Sequence, residues 1–194
     1  WELLAWSRKS TIAMVNGHCF GGALIPLCAC DIVITAEDAT FGLSEINWGI
    51  IPGGLVSKVI RDFMRQRDAI FYAMTGRTFD GVKAVDLGLA NLAVPRGRLR
   101  EETELLAREL MQKSPSVLAF TKQAVRAAGA MDVEHAYEYL NAKLLALRFV
   151  DTERTRQRGL EEFLDKKSYR PGFEPVERGR DPANGPLRPG NVAR

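Results

Sequence analysis

Residues 14–25 have the sequence MVNGHCFGGALI, residues 41–49 the sequence FGLSEINWG, and residues 52–54 the sequence PGG. An apolar run thus leads into a pair of glycines, Gly21 and Gly22, and one carboxylate, Glu45, follows in an apolar, glycine-rich setting. Glycines at the start of a helix allow a ligand to approach the backbone closely. We therefore expect the rest of the chain to form a scaffold around this segment.

The composition is that of an ordinary globular protein. The chain has 194 residues, of which 46% are hydrophobic and 26% are charged, in keeping with one domain and a substantial core. The net charge of +3 is too small to indicate nucleic-acid binding, and no apolar run approaches the ~18 residues of a membrane span. Neither nucleic acid nor membrane is an expected partner.

The cysteines indicate the compartment. Their number is odd, and Cys19, Cys28 and Cys30 all have apolar neighbours, which argues against a disulfide framework. We expect a reducing compartment, the cytoplasm. The chain opens in the middle of an apolar pattern at Trp1, without an initiator Met or a charged leader, so we expect it to be the C-terminal part of a longer protein.

Alternating strands and helices are expected in the first half and helices in the second. Apolar runs predict buried strands over 10–16, 31–36 and 89–94, and an extended piece over 40–43. Helical spacing predicts helices over 20–30, 54–63, 65–74, 80–87, 99–113, 115–129, 131–150 and 151–165. Proline and glycine become frequent after residue 170, which predicts a disordered tail over 171–194.

The glycine pair suggests one kind of chemistry. Backbone N–H groups at a helix start carry the positive end of the helix dipole, and next to a carbonyl oxygen they would stabilise an oxyanion or enolate. A tight strand-to-helix turn with close packing explains the same glycines without any chemistry.

Glu45 is a candidate general acid or base. It is followed by Ile46, Trp48, Ile50 and Ile51, and an apolar cover would desolvate the carboxylate and suit it to proton transfer. An ordinary loop glutamate that accepts a backbone hydrogen bond is the alternative.

Other chemistries find less support in the sequence. His18 and the three cysteines match no common metal-ligand spacing, so we expect no metal site. Neither a Ser/His/Asp pattern nor a phosphate-binding loop is present. The basic residues between 154 and 167 are typical of a solvated helix face, with contacts to ligand phosphates as the alternative.

Several motifs occur in a fixed order: NGxCFGG at 16–22, CDI at 30–32, ATFGLSE at 39–45, GIIPGG at 49–54, TG at 75–76 and AxxxGL at 84–89. Together they resemble the crotonase (enoyl-CoA hydratase/isomerase) superfamily over residues 10–170. The resemblance implies an α/β fold, a crotonase-like ββα spiral truncated at its N-terminus. Residues 1–98 would form the C-terminal part of the spiral core, and residues 99–170 a helical trimerisation region.

Within that superfamily the sequence is most similar to the hydroxycinnamoyl-CoA hydratase-lyases. The similar stretches are TIAMVNG at 11–17, FGLSEINWG at 41–49, YLxAKL at 139–144 and FLDKKSYRPG at 163–172. The resemblance implies hydration of a hydroxycinnamoyl-CoA double bond and cleavage to an aromatic aldehyde, such as vanillin, and acetyl-CoA. It implies an acyl-CoA thioester substrate, no cofactor beyond the coenzyme A of that substrate, and a homotrimer or a dimer of trimers.

The resemblance also assigns the catalytic roles. Gly22 matches the glycine whose N–H binds the thioester oxygen, and Glu45 matches the acid/base. Many simple hydratases carry a second glutamate 20 residues before the first, where this chain has Ile25. The lyases lack that second acid, so Ile25 favours a lyase or a one-carboxylate isomerase. The second oxyanion donor and the adenine-binding loop of the family lie before Trp1.

The remaining implied residues would bind the substrate. They are Gly21, Ala23, Leu24, Ser44, Gly49, Tyr137 and Asn141. The lyases carry a tyrosine where this chain has Asn141, and that tyrosine holds the phenol. Asn141 has the hydrogen-bonding groups to replace it, and Tyr137 lies one helical turn away on the same face.

Two other functions remain open at this point. The first is an enoyl-CoA hydratase or isomerase that acts on aliphatic chains. The second is a non-catalytic crotonase-fold subunit that only takes part in assembly.

Overall fold

The structure is a computed structural model that describes residues 1–165 and residue 167. Its strands are β1 (Ile12–Val15), β2 (His18–Phe20), β3 (Ile32–Ala36), β4 (Thr40–Gly42), β5 (Thr78–Asp80) and β6 (Leu92–Val94). Its helices are α1 (Glu2–Trp6), α2 (Leu24–Ala29), α3 (Val56–Phe63), α4 (Gln66–Thr75), α5 (Gly81–Asp86), α6 (Leu99–Met111), α7 (Pro115–Ala128), α8 (Val133–Val150) and α9 (Thr155–Leu160).

The strands form two small sheets, and the two strands of each consecutive pair (β1 and β2, β3 and β4, β5 and β6) belong to different sheets. One sheet has the order β1-β3-β6 and is parallel throughout, while the other has the order β2-β4-β5, with β2 and β4 parallel and β5 antiparallel to β4. The path β1, β2, α2 is followed by β3 and β4, so each ββ unit adds one strand to each sheet. This repeated unit confirms the predicted α/β fold with a ββα spiral.

The core contains buried residues of the strands and of α2, α3 and α5. Its largest wholly buried side chains are Phe41, Leu24, Ile34 and Leu43. Phe41 stacks on Phe79, with ring centroids 5.7 Å apart. Aromatic pairs of this kind stabilise a core beyond their buried area alone.

Side-chain caps explain where three helices begin. Asp80 accepts a hydrogen bond from the backbone N–H of Lys83 at the start of α5, Ser114 caps α7, and Asp132 caps α8. Each cap provides an acceptor for an N–H group that has no partner inside the helix. For these three helices the observed starts agree with the predicted starts within two residues.

Some predicted elements differ from the observed ones. β2 and β5 were not expected, and the helix predicted over 20–30 begins instead with a 3₁₀ turn over Gly21–Ala23 before α2. Gly21 has a φ of +49°, which is incompatible with a right-handed α-helix. The helix predicted over 151–165 is shorter, with α9 followed by a π-helical turn over Glu161–Asp165.

The helices α6 to α9 form the predicted C-terminal helical part, in which α8 packs mainly on α7. Lys143 of α8 lies 5.5 Å from the ring centroid of Phe120 and donates a hydrogen bond to Gln123. The predicted tail over 171–194 and the last residues of the predicted helical region lie outside the described residues. None of the helices between residues 1 and 165 is long and apolar enough to cross a bilayer.

A half-buried ionic cluster joins the helical part to the sheets. Oδ2 of Asp31 accepts hydrogen bonds from the Thr11 N–H (2.8 Å) and hydroxyl (2.9 Å) and pairs with Lys122 Nζ (2.8 Å). Oδ1 pairs with Arg126 Nη2 at 3.0 Å. We call these four residues the Asp31 cluster. It connects the starts of β1 and β3 to one face of α7.

The environment of Asp31 changes its acidity. Burial raises the pKa of the carboxyl, but hydrogen bonds from Lys122, Thr11 and Arg126 lower it more strongly, so that the pKa lies below its ordinary value. The cluster therefore stabilises the folded state most when Asp31 is ionised.

Replacement of Asp31 by Asn should destabilise the chain by about 2 kcal/mol at pH 7, a value between those of exposed and fully buried ion pairs. Because the folded-state pKa is depressed, this contribution is fully present above the ordinary Asp pKa of about 3.9 and is lost as the pH falls through the lower folded-state value. Urea denaturation of both proteins at pH 7 and below pH 4 measures the difference, which should shrink in acid.

The matched control is Asp38→Asn, because Asp38 forms an exposed ion pair with Arg96 at 2.9 Å. We expect only a small change for that variant. An equal loss of stability in the two variants would contradict the structural role of the Asp31 cluster.

Candidate active site

A glycine-rich turn follows directly after β2. Phe20 is extended, Gly21 turns the chain with a φ of +49°, and the N–H of Leu24 donates to the carbonyls of both Gly21 and Gly22. We call residues Gly21–Ala23 the glycine turn. The first N–H groups of a helix have no acceptor within it, and Gly22 is exposed, so its backbone is open to a ligand.

A second turn leaves the neighbouring strand at the same edge. Phe20 at the end of β2 pairs with Gly42 at the end of β4, so the segments that follow these parallel strands begin side by side. The second segment forms a 3₁₀ turn over Glu45–Trp48, which we call the Glu45 turn. Gly49 ends it with a φ of +70° and donates its N–H to the carbonyl of Ile46.

The two turns meet at the Glu45 carboxylate. A Cβ atom added to Gly21 would lie only 2.7 Å from Glu45 Oε1, so the absence of a side chain at Gly21 permits this contact. Oε2 of Glu45 is buried and has no hydrogen-bond partner among residues 1–165 and 167. A buried acceptor without a partner is uncommon in folded proteins and is often associated with function.

The prediction that the apolar side chains after Glu45 cover its carboxylate is wrong. The four side chains expected to shield it are 45–79% exposed: Ile46, Trp48, Ile50 and Ile51. The Glu45 carboxylate itself lies against Gly21. The glycine turn contributes to the cover instead.

The other residues predicted at the two turns have different environments. Ala23 is exposed next to Gly22, and Ser44 is half-buried, with its carbonyl accepting the N–H of Asn47. Leu24 is wholly buried, and its N–H supports the glycine turn. Leu24 thus contributes to the site through its backbone and through core packing.

Tyr137 and Asn141 lie apart from this pair of turns. Both are on α8, Tyr137 is 70% exposed, and Asn141 is exposed as well. α8 packs mainly on α7, while the Glu45 turn packs mainly on α4. The main packing contacts of the chain therefore do not join these two polar side chains to the carboxylate.

Gly76 contacts the Glu45 turn, and the sequence analysis did not assign it to the site. It ends α4 with a φ of +62°, and a Cβ there would lie 2.8 Å from Nδ2 of Asn47 in the Glu45 turn. In the sequence, Thr75-Gly76 is only one of the motifs that resemble the family. A glycine directly after an amphipathic helix indicates a helix end, but it does not identify the neighbour that needs the space.

The cysteines behave as core residues. Burial raises the pKa of Cys19 to about 11 and that of Cys28 to about 12, so both thiols stay protonated at neutral pH. In the described part of the chain, no three His, Cys, Asp or Glu side chains form a group that could hold a metal ion.

The adjacent glycines of the turn provide a direct test of the geometry. Gly21→Ala should destabilise the protein by about 1–3 kcal/mol, because alanine resists a positive φ and its Cβ would displace the Glu45 carboxylate. Gly22→Ala is the control, since a Cβ at Gly22 meets no atom within 4 Å. Thermal or urea unfolding of the two variants measures the difference, and equal stabilities would contradict the close contact.

Comparisons with known proteins identify the family of the chain. The family model described as enoyl-CoA hydratase/isomerase matches residues 1–173. The hydroxycinnamoyl-CoA hydratase-lyase of Pseudomonas fluorescens is 50% identical over 178 residues, which are 92% of this chain and 64% of that protein. The carnitinyl-CoA dehydratase of Salmonella typhi is 33% identical over 139 residues, 71% of this chain and 52% of that protein. The chain thus spans between about half and two thirds of the length of these curated relatives.

Solved structures have the same fold. A crystal structure of enoyl-CoA hydratase subunit I from Geobacillus kaustophilus has a TM-score of 0.79 at 27% identity and covers 93% of this chain and 66% of that one. An enoyl-CoA hydratase from Bacillus anthracis has a TM-score of 0.76 at 25% identity, covering 85% and 63%. With the motifs in order, the two strands ending at adjacent turns and a family model that matches most of its length, the chain belongs to the enoyl-CoA hydratase/isomerase (crotonase) family.

Proposed function

We propose that the full-length polypeptide carrying this sequence is a hydroxycinnamoyl-CoA hydratase-lyase. It adds water to the side-chain double bond of a hydroxycinnamoyl thioester and cleaves the adduct to an aromatic aldehyde of the vanillin type and acetyl-CoA. The 50% identity to a protein of that name supports the substrate class. The observation that carries the proposal is the unpartnered, buried Oε2 of Glu45 beside the glycine turn.

The glycine turn would act on the thioester carbonyl. The N–H of Gly22 donates a hydrogen bond to the carbonyl oxygen, which stabilises the negative charge that develops there when the α-carbon takes on enolate character. The exposure of Gly22 and the empty space around its Cα leave room for the thioester.

Glu45 would handle the protons. In the hydration step a water oxygen bonds to the β-carbon, one water proton passes through Glu45 to the α-carbon, and the carbon–carbon double bond becomes single. In the cleavage step the β-hydroxyl loses its proton, the Cα–Cβ bond breaks to give the aldehyde, and the α-carbon is protonated to give acetyl-CoA. Loss of the proton from the para-hydroxyl group of the substrate assists this reaction, because it allows a quinone-methide-like intermediate to form.

One carboxylate is enough for this scheme. Ile25, where many simple hydratases carry a second glutamate, lies in α2 and packs against the hydrophobic core. An isoleucine side chain cannot transfer a proton, which supports a one-carboxylate mechanism.

Assembly into homotrimers or dimers of trimers is part of the proposal. Apolar side chains on α8 lie in solvent, with Val133 88% and Phe149 91% exposed. Apolar surface of this extent favours contacts with other copies of the chain. We propose that α6 to α9 supply these contacts.

Glu45→Gln should reduce thioester turnover by about 10²–10⁴-fold, because glutamine keeps the shape of the side chain but cannot transfer a proton. Binding of feruloyl-CoA should remain near its wild-type value. Single-turnover assays and equilibrium titration of the full-length polypeptide separate the two effects.

The matched control is Glu37→Gln, which alters an exposed glutamate immediately after β3. That variant should keep wild-type turnover. If Glu45→Gln were as active as Glu37→Gln, the assignment of Glu45 as acid/base would fail.

Substrate preference tests the aromatic assignment. We expect the full-length polypeptide to convert feruloyl-CoA to vanillin and acetyl-CoA, with a higher kcat/KM than for hydration of crotonyl-CoA. Chromatography of the products measures both reactions. Conversion of crotonyl-CoA alone would indicate an aliphatic enoyl-CoA hydratase or isomerase. Assembly without any thioester turnover would indicate a structural subunit.

A further inference from the structure

The helix that carries the glycine turn is weak by itself. α2 has six residues, far fewer than the ~12–15 that an isolated helix needs to be stable in water. Pro26 lies inside it and has no N–H to donate to the carbonyl four residues earlier. No side chain caps its N-terminus. Its position must therefore be fixed by contacts from outside the helix.

Arg126 of α7 supplies such contacts at the far end of α2. Its Nη2 donates to the carbonyl of Ala29 at 2.8 Å and to that of Cys30 at 3.2 Å. The same nitrogen pairs with Asp31 Oδ1 at 3.0 Å. The guanidinium thus satisfies carbonyls at the C-terminus of α2, where a positive charge also interacts favourably with the helix dipole.

Hydrogen bonds connect this anchor to the glycine turn. The N–H of Cys30 donates to the carbonyls of Pro26 and Leu27, and the N–H of Leu24 donates to those of Gly21 and Gly22. Leu24 and Leu27 are buried in the core along the same helix. A rotation of α2 at its C-terminus would therefore move Gly22 relative to Glu45.

We propose that Arg126 is a positioning residue for the active site. By holding the C-terminal carbonyls of α2, it fixes the direction in which Gly22 presents its N–H to the thioester oxygen. This proposal depends on the proposed function, because it assigns a role in the same reaction. It connects the C-terminal helices to the chemistry through a residue that touches neither substrate nor Glu45.

Lys122 makes a matched comparison possible. It lies one turn before Arg126 on α7, its side chain is only 7% exposed, and it also pairs with Asp31. Its other contacts are with the carbonyls of Leu4 and Lys9 near α1, not with α2. Loss of either cation removes one ionic contact from Asp31, but only the loss of Arg126 also removes the hydrogen bonds to the carbonyls of Ala29 and Cys30 at the C-terminus of α2.

The test compares Arg126→Met, Arg126→Lys and Lys122→Met in the full-length polypeptide, at a temperature where all variants are folded. Arg126→Met should lower kcat for feruloyl-CoA by ~10–100-fold, the effect of a misplacement of about 1 Å, with KM nearly unchanged. It should also accelerate amide hydrogen exchange in residues 21–30. Arg126→Lys should restore much of both properties, because one lysine nitrogen has three protons for the three acceptors that Nη2 reaches.

Lys122→Met should lower the unfolding temperature but leave kcat and exchange in residues 21–30 at wild-type values. If Lys122→Met reproduced the effects of Arg126→Met, the role of Arg126 would be structural only and the proposal would fail. Unchanged exchange in Arg126→Met would overturn it as well. If the wild type did not turn over the thioester, the proposed function would fail alone, since the exchange comparison still decides whether Arg126 positions the glycine turn.

Discussion

A carboxylate that lies below the surface needs several donors before its burial becomes tolerable, and Asp31 obtains them from three parts of the chain. Thr11 supplies a backbone N–H and a hydroxyl, while Lys122 and Arg126 supply charge from α7. Ion pairs of this kind add little net stability compared with apolar packing, but breaking one leaves an uncompensated charge. The cluster therefore connects α7 to the sheets, and α8 packs mainly on α7.

Glu45, in contrast to Asp31, lacks such donors. Its Oε2 is buried without a donor in the described part of the chain, which costs about 1–3 kcal/mol relative to a satisfied acceptor. A few ångströms away, the positive φ of Gly21 and the absence of its side chain make that arrangement possible. Two unfavourable features at one place are typical of an active site.

The sequence predicted the order of most elements, the glycine pair and Glu45, because these depend on local patterns and on motifs in a fixed order. It missed β2 and β5, which have three residues each and exist only through pairing with β4. It also missed the partners of Asp31, since Lys122 and Arg126 lie more than 90 residues away along the chain. Two basic residues four apart on α7 were the available signal. Without knowledge of what that face covers, they resemble any solvated helix surface.

The weakness of α2 has a physical advantage. α2 follows a turn with two glycines and has no side-chain cap, so no side-chain acceptor occupies the N–H groups at its start. A side-chain cap would stabilise the helix but would occupy one of those donors. The stability that α2 lacks has to come from its buried leucines and from the guanidinium at its C-terminus. A residue far from the reacting atoms can therefore matter for catalysis in this fold. The residue that holds the C-terminus of α2 also determines how the glycine turn at its N-terminus meets a substrate.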